Sequence, residues 1–265
     1  MVRRGLFAIV LNAGFVVAAT LAAGAQENLR DIAPTGSLRV AIAVGPAASA
    51  FWATRDPATG KPQGVTVELA KAAANKLHLL LQLVEYPSSD EIAAAGSQDA
   101  WDISFMPAEA RREQFVDQGP AYVAYTSSYL VRAGSDIRSV ADVDRAGMRI
   151  GCIEGTSTSR TAAKALRHAT LTKFAKANDA AEAMGNGQLD ALAMGTEAVE
   201  DLSRRLSGTR VLEEVIQSTG VVVVVPKGRT AAGAWATHFL QDAKADGTVR
   251  RALDSGGSAN AKVAP

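Results

Sequence analysis

The sequence predicts an α/β protein of two lobes, joined by a chain that crosses between them twice. Three observations predict it. Short apolar runs rich in β-branched residues alternate with segments of helical spacing, the pattern of a parallel sheet covered by helices on both faces. That alternation occurs in two separate series, the second beginning near residue 149. Between them lies a long extended segment, residues 121–132, and another strand, 220–225, follows the second series. Two crossings make a hinge, and the cleft between hinged lobes is a usual place for a ligand.

The N-terminus stands apart from both lobes. Arg3 and Arg4 precede an apolar stretch over residues 6–23, which ends in Ala23-Gly24-Ala25 before Gln26. A basic start, an apolar centre and an Ala-x-Ala end are what a signal peptidase recognises. Asn12 and Gly14 interrupt the apolar stretch and no basic stop-transfer cluster follows, so a cleaved export signal is expected rather than a membrane anchor. The expected division is a signal over residues 1–25, a first lobe over 26–125, a second over 126–219, and a return to the first lobe with C-terminal helices over 220–265. The mature chain of about 240 residues is long enough to bury a substantial core.

In the first series, residues 38–44 read as a strand and the Pro57 to Pro62 segment as a surface turn. From Thr66, the apolar positions Val67, Leu69, Ala70, Ala73, Ala74 and Leu77 recur at helical spacing. A strand over 79–86, a helix over 88–95 capped by Ser88 or Ser89, and a strand over 101–106 follow. The second series reads as strand 149–153, helix 156–167, strand 171–174, helix 179–184, strand 189–193 and helix 197–206.

Charge and composition exclude several function classes. Loss of Arg3 and Arg4 takes the basic count from 28 to 26 against 27 acids, so the mature chain is close to neutral. No basic patch points to nucleic acid. Cys152 is the only cysteine, so no intramolecular disulfide can form, and its apolar neighbours predict a buried, inert thiol. The histidines His78, His168 and His238 have no metal-ligand spacing, and neither a metal nor a cofactor is expected. A small solute or a protein is the expected partner.

An ordered set of segments carries a resemblance. It runs Leu38-Arg39-Val40-Ala41-Ile42, then Gly64-Val65-Thr66-Val67-Glu68, then Trp101-Asp102-Ile103-Ser104-Phe105-Met106 leading to Arg111. Gly147-Met148-Arg149-Ile150-Gly151, the turn Glu154-Gly155-Thr156-Ser157, Asp190-Ala191 and Asp246-Gly247-Thr248 complete it. In this order they resemble the extracellular solute-binding proteins of family 3, which feed polar amino acids and related solutes to ABC importers. The resemblance implies a Venus-flytrap fold, a monomer in the periplasm, an ABC permease in the inner membrane as partner, and no enzymatic activity.

The resemblance also implies site residues. Arg111 would grip a ligand carboxylate, as a guanidinium's fixed fork suits that group, although on spacing alone Arg111 or Arg112 could be a solvated charge. Gly155, Thr156, Ser157 and Thr158 would offer backbone amides and hydroxyls at a helix N-terminus, where one hydroxyl must serve as the cap. Ser104, Met106, Gly195 and Thr196 fall at further pocket positions. Phe51 and Trp52 are either pocket walls or core anchors.

This chain departs from the family where acids would hold an α-ammonium group. One region reads Ala43 to Ala50 without an acid and the other reads Met194-Gly195-Thr196, with Glu197 the nearest substitute. The expected ligand is therefore a small carboxylate with an apolar or aromatic remainder, an amino acid or a related organic acid, with or without an α-amino group. The rival reading is a dehydratase-like enzyme acting on a cyclic carboxylate, for which Glu109, Glu154 and Glu197 are candidate acid–base groups.

Overall fold

The computed structural model describes residues 29–44 and 49–265; the expected export signal and the loop 45–48 lie outside the described residues. The chain forms two α/β lobes that share one nine-stranded sheet, ordered β4 (Leu80–Tyr86), β1 (Ser37–Ala43), β5 (Ile103–Pro107), β11 (Gln217–Pro226), β6 (Val116–Arg132), β9 (Ala191–Gly195), β7 (Arg149–Ile153) and β8 (Thr170–Phe174), with β10 (Thr209–Val211) beside β6.

Lobe I is built first. Strand β1 (Ser37–Ala43) is flanked by β4 (Leu80–Tyr86) and β5 (Ile103–Pro107), parallel to both. The exposed turn expected over Pro57 to Pro62 is present, and it joins two short antiparallel strands, β2 (Thr54–Arg55) and β3 (Pro62–Gln63). Helix α1 (Val65–Leu77) buries Val65, Val67, Leu69, Ala70, Ala73, Ala74 and Leu77, the face its periodicity marks. Fully burying a Val or Leu side chain contributes roughly 1.5–3 kcal/mol each, which is why this face docks on the sheet. His78 ends the helix in the left-handed conformation. Helix α2 (Ser89–Ala95) starts at Ser88, whose Oγ accepts from the Glu91 amide at 3.3 Å.

The third strand of lobe I begins two residues later than its sequence predicts. Asp102, fully buried ahead of β5, accepts from the Arg39 amide at 2.8 Å and from Arg39 Nη2 at 2.8 Å, which ties the start of β1 to β5.

The crossings are longer than the sequence indicates. Strand β6 (Val116–Arg132) pairs with β11 (Gln217–Pro226) from Val116 to Ser127, and with β9 (Ala191–Gly195) from Ser127 to Val131. The chain thus passes from one lobe to the other inside a single strand. The two crossings run in opposite directions, so β11 is antiparallel to β6 and to β5, and β6 is antiparallel to β9. The purely parallel sheet expected from the alternation is therefore a mixed one, with a parallel trio at each end.

Lobe II repeats the pattern with β7 (Arg149–Ile153), α3 (Ser157–Ala165), β8 (Thr170–Phe174), α4 (Ala177–Gly185), β9, α5 (Thr196–Arg205) and β10 (Thr209–Val211). Helix α3 stops two residues short of the predicted end, at an extended Leu166. Cys152 is buried in this lobe, its Sγ 3.2 Å from Ser159 Oγ. Helices α6 (Thr230–Ala245) and α7 (Thr248–Ser255) return to lobe I, where Phe239, Leu240, Val249 and Leu253 join its core. Among the described residues, no helix is long and apolar enough to cross a membrane.

Candidate functional site

The lobes meet over the C-terminal ends of the parallel strands, the position where open α/β sheets hold ligands. A cavity of about 40 Å³ lies there, lined by Ala43 at the end of β1, Trp52, Ser88, Ser89, Pro107 at the end of β5, Tyr125, Thr156 and Ser157. A larger hollow of about 400 Å³ exists on lobe I beside α6, and another of about 360 Å³ behind the hinge. Neither lies between the facing helix N-termini, so the inter-lobe cavity is the better-placed site despite its size.

Lobe II contributes a turn and a helix start. Gly155 adopts φ +72°, and a Cβ there would lie 2.8 Å from Ser88 Oγ across the cleft, so only glycine allows the lobes to approach this closely. Thr156 is the N-cap of α3: its Oγ1 accepts from the Ser159 amide at 3.1 Å and donates to Ile153 O at 2.8 Å. Ser157 lies at the cavity wall and its Oγ accepts from Gln217 Nε2 at 3.0 Å. A helix N-terminus with free amides favours an anion.

Lobe I contributes the aromatic wall. Trp52 and Tyr125 stand edge to face with centroids 5.4 Å apart, and Phe51 packs against both at 5.0 and 5.8 Å. Trp52 faces the cavity while Phe51 lies in the core beneath it, so one of the two predicted aromatics is a wall and the other an anchor. Tyr125 comes from the crossing strand, and burial pushes its phenol above the ordinary value.

An ion-pair lattice closes the edge of the cleft. Arg112 is buried, donating to Pro107 O at 2.8 Å and to Asp90 Oδ1 from Nε and Nη2 at 3.2 and 3.0 Å. From lobe II, Arg160 donates through Nε to Glu109 Oε1 at 2.6 Å, through Nη1 to Asp90 Oδ2 at 2.6 Å, and through Nη2 to Glu109 Oε2. Burial pushes the Arg112 guanidinium down, while Glu109 and Asp90 pull it back up, and a guanidinium keeps its charge inside a protein. Burial also works against the Arg160 charge, but the Glu109 hydrogen bond and Asp90 outweigh it and hold its pKa above the usual value.

Several predicted residues lie elsewhere. Arg111 is half exposed and reaches Asp90 only at 3.4 Å; the arginine buried at the cleft is its neighbour Arg112. The short 3₁₀ turn Ala110–Arg112 explains the difference, because adjacent residues there point about 120° apart. Ser104 is buried with its Oγ on Ala41 O at 2.7 Å, a strut between strands, and Met106 packs into the core beside Ile92 and Trp101. Thr158 bonds Ser127 Oγ at 2.7 Å, so it joins α3 to the crossing strand. Thr196 bonds Thr126 Oγ1 at 2.7 Å and lines the hollow behind the hinge. A Cβ on Gly195 would stand 2.6 Å from Tyr125 Oη, so the tyrosine fills the space that a side chain would need.

No motif or spacing in the sequence marks Asp90, Arg112, Arg160, Tyr125, Ser88 or Ser89 as cleft residues, although Ser88 and Ser89 are legible as helix caps. The strand-end rule reaches Ala43 and Pro107. Arg160 has no comparable signal, being one polar residue among several in an exposed-looking helix start.

Comparison with known proteins bears on what this arrangement is. The sequence profile of the bacterial extracellular solute-binding proteins, family 3, matches residues 40–255. A glutamine-binding protein of Geobacillus stearothermophilus is 28% identical over 169 residues, which cover 62% of this chain and 64% of that relative. The ABC transporter glutamine-binding protein GlnH of Bacillus subtilis (strain 168) is 23% identical over 202 residues, 74% of this chain and 73% of the relative. Among solved structures, a mutant of ArgBP from T. maritima superposes with a TM-score of 0.77 at 20% identity, covering 87% of this chain and 99% of that one. The ancestral amino acid-binding protein AncCDT-1, described as a precursor of cyclohexadienyl dehydratase, gives 0.76 at 23% identity, covering 85% and 97%. These structures share the two-lobed fold.

Proposed function

Since the chain belongs to the bacterial extracellular solute-binding proteins of family 3, we propose that it captures a small carboxylate-bearing solute between its lobes and delivers it to an ABC permease. It does so in the periplasm, reached through the N-terminal export signal, and it works as a monomer. The observation that carries this reading is the start of α3 at the cavity. Thr156 and Ser157 line the cavity at that helix N-terminus, while Arg112 and Arg160 balance Asp90 and Glu109 at the cleft edge, so that no unpaired acid opposes an anion there. That arrangement suits one carboxylate. The names of the sequence relatives, both glutamine-binding, support an amino acid or a related acid as the solute class. Closure on the solute would both raise capture affinity and present a distinct shape to the permease.

The enzyme reading is less well supported. Its candidate Glu109 is held by two arginines, Glu154 is exposed, and Glu197 lines the hollow behind the hinge, so none offers a free acid–base group to the cavity.

A thermal-shift screen of amino acids, organic acids and aromatic carboxylates on the mature chain tests the proposal. A solute at one hundred times its Kd stabilises the folded state by about 2.7 kcal/mol. For a chain of this size that raises Tm by roughly 5–10 °C. Stabilisation by a carboxylate and not by its amide is the expected result; equal stabilisation by the amide would refute a carboxylate solute.

A further inference from the structure

Arg160 stands on lobe II, yet both of its charged partners belong to lobe I. It reaches Asp90, in the first turn of α2, and Glu109, just before the turn that carries Arg112. Asp90 also receives Arg112 at 3.0 Å and Arg111 at 3.4 Å, and Glu109 Oε2 lies 3.3 Å from Arg112 Nη2. Every oxygen of these two carboxylates is therefore engaged by a guanidinium. The cavity beside them is lined by hydroxyls, two aromatics, Pro107 and Ala43, and no acid is among the lining residues. The remaining acids on the adjoining segments, Glu91, Glu113 and Glu154, are exposed. An ammonium group entering this cavity would lose its water and find no carboxylate, which is costly, whereas a carboxylate would meet the hydroxyls and the N-terminus of α3.

We propose that Arg160 sets the specificity of the cleft: by taking both lobe I carboxylates, it leaves no acceptor for an ammonium group, so that a small carboxylate without one is preferred to the matching α-amino acid. This rests on the reading that the cleft captures a carboxylate. The cavity of about 40 Å³ has room for about three water-sized groups, so the preferred solutes are short.

The test is calorimetric titration of matched pairs that differ only in the α-ammonium: propionate with alanine, butyrate with 2-aminobutyrate, and 3-phenylpropionate with phenylalanine, with propionamide as a neutral probe. The wild-type chain should bind the acid at least tenfold more tightly than the amino acid in each pair that binds. In Arg160→Met, Glu109 Oε1 is freed, Glu109 Oε2 keeps only Arg112 at 3.3 Å and Asp90 Oδ2 only the exposed Arg111 at 3.4 Å, and that ratio should fall tenfold or more. Arg160→Lys, which keeps the charge but cannot span both acids, should give an intermediate ratio; with the wild-type ratio it carries the test if Arg160→Met does not fold. A merely structural arginine would weaken both members of a pair alike and leave the ratio unchanged, which overturns the role of Arg160. Tighter or equal binding of the amino acid by the wild type overturns the preference while leaving a carboxylate solute in place. Binding of propionamide alone, or of none of the probes, overturns both.

Discussion

Replacing Arg112 with methionine should cost far more stability than replacing Arg111 with alanine, and the difference can be worked from their contacts. Arg112 has 2% of its side chain exposed, with three hydrogen bonds to Asp90 and Pro107 O. Hydrogen bonds involving charged groups contribute about 1.5–3 kcal/mol each, and an orphaned buried carbonyl costs about 1–3 kcal/mol. Breaking a buried ion pair reaches about 3–5 kcal/mol when it strands the other charge. Asp90 is not stranded, since Arg160 and Arg111 remain, and methionine fills much of the volume. The net loss should be about 2–3 kcal/mol. At about 2–4 °C per kcal/mol for a chain of this length, Tm should fall by roughly 4–12 °C. Arg111 is 50% exposed, with one contact of 3.4 Å; such a pair is worth about 0.5 kcal/mol or less, and its loss should shift Tm by at most about 2 °C. Calorimetric unfolding of the ligand-free mature protein measures both. Equal shifts, or a larger one for Arg111→Ala, would refute the assignment of Arg112 as the arginine that holds the cleft together.

Burial raises the Glu197 carboxyl above its ordinary pKa, its own backbone amide opposing only in part, and its Oε2 has no partner. The folded chain therefore holds a proton that the unfolded chain has released, and stability falls as pH rises from the usual carboxylate range through the raised value. Glu197→Gln should add about 1 kcal/mol at pH 7, after subtraction of the helix N-terminal interaction it loses, with the gain gone below about pH 4; an unchanged gain across that range in pH-dependent unfolding would contradict this. Gly155→Ala should hold the cleft ajar, because its Cβ meets Ser88 and its φ disfavours a side chain. Small-angle scattering should record a larger radius of gyration, and an unchanged radius would count against closure through this contact. Burial pushes the Cys152 thiol up, so Ellman's reagent should label it only as the protein unfolds; rapid labelling of the native chain would show that it is accessible.

Much of the fold was legible because each element carried its own period. The α1 face, the Ser88 cap and the strand 149–153 follow from apolar spacing and a capping hydroxyl read locally. The crossings were read only in part, since a strand that changes partners at Ser127 shows no break in its sequence. The lining of the candidate cavity was legible at Trp52, Thr156 and Ser157, with Gly155 in the turn beside it, because these stand at turns or helix starts where residue type reports geometry. It was not legible at β5. All five residues there are buried, so alternation could not tell that Phe105 and Met106 enter different cores or that Pro107 reaches the cleft. Nor could it choose between Arg111 and Arg112, where one residue of a 3₁₀ turn separates solvent from the interior.

The acids that made the sequence recognisable and the acids that shape the cleft are different residues, and the fold explains why. In lobe I, Arg39 at the start of β1 binds Asp102 ahead of β5; in lobe II, Arg149 at the start of β7 binds Asp190 ahead of β9, at 3.0 Å from its amide and 2.8 Å from Nη2. Each clamp joins two parallel strands at their N-terminal ends, away from the candidate cavity. Such a bond fixes the register of a strand pair, and a one-residue slip would turn its side chains to the wrong face. Asp90 and Glu109 instead sit where strands have ended, on a helix start and a turn, and fix no register. Changes there alter the charge at the cleft without shifting the register of either lobe's strands. The opposite substitution, Asp190→Asn, should therefore destabilise lobe II while leaving the preference between a carboxylate and its amino acid intact, since no cleft charge has changed.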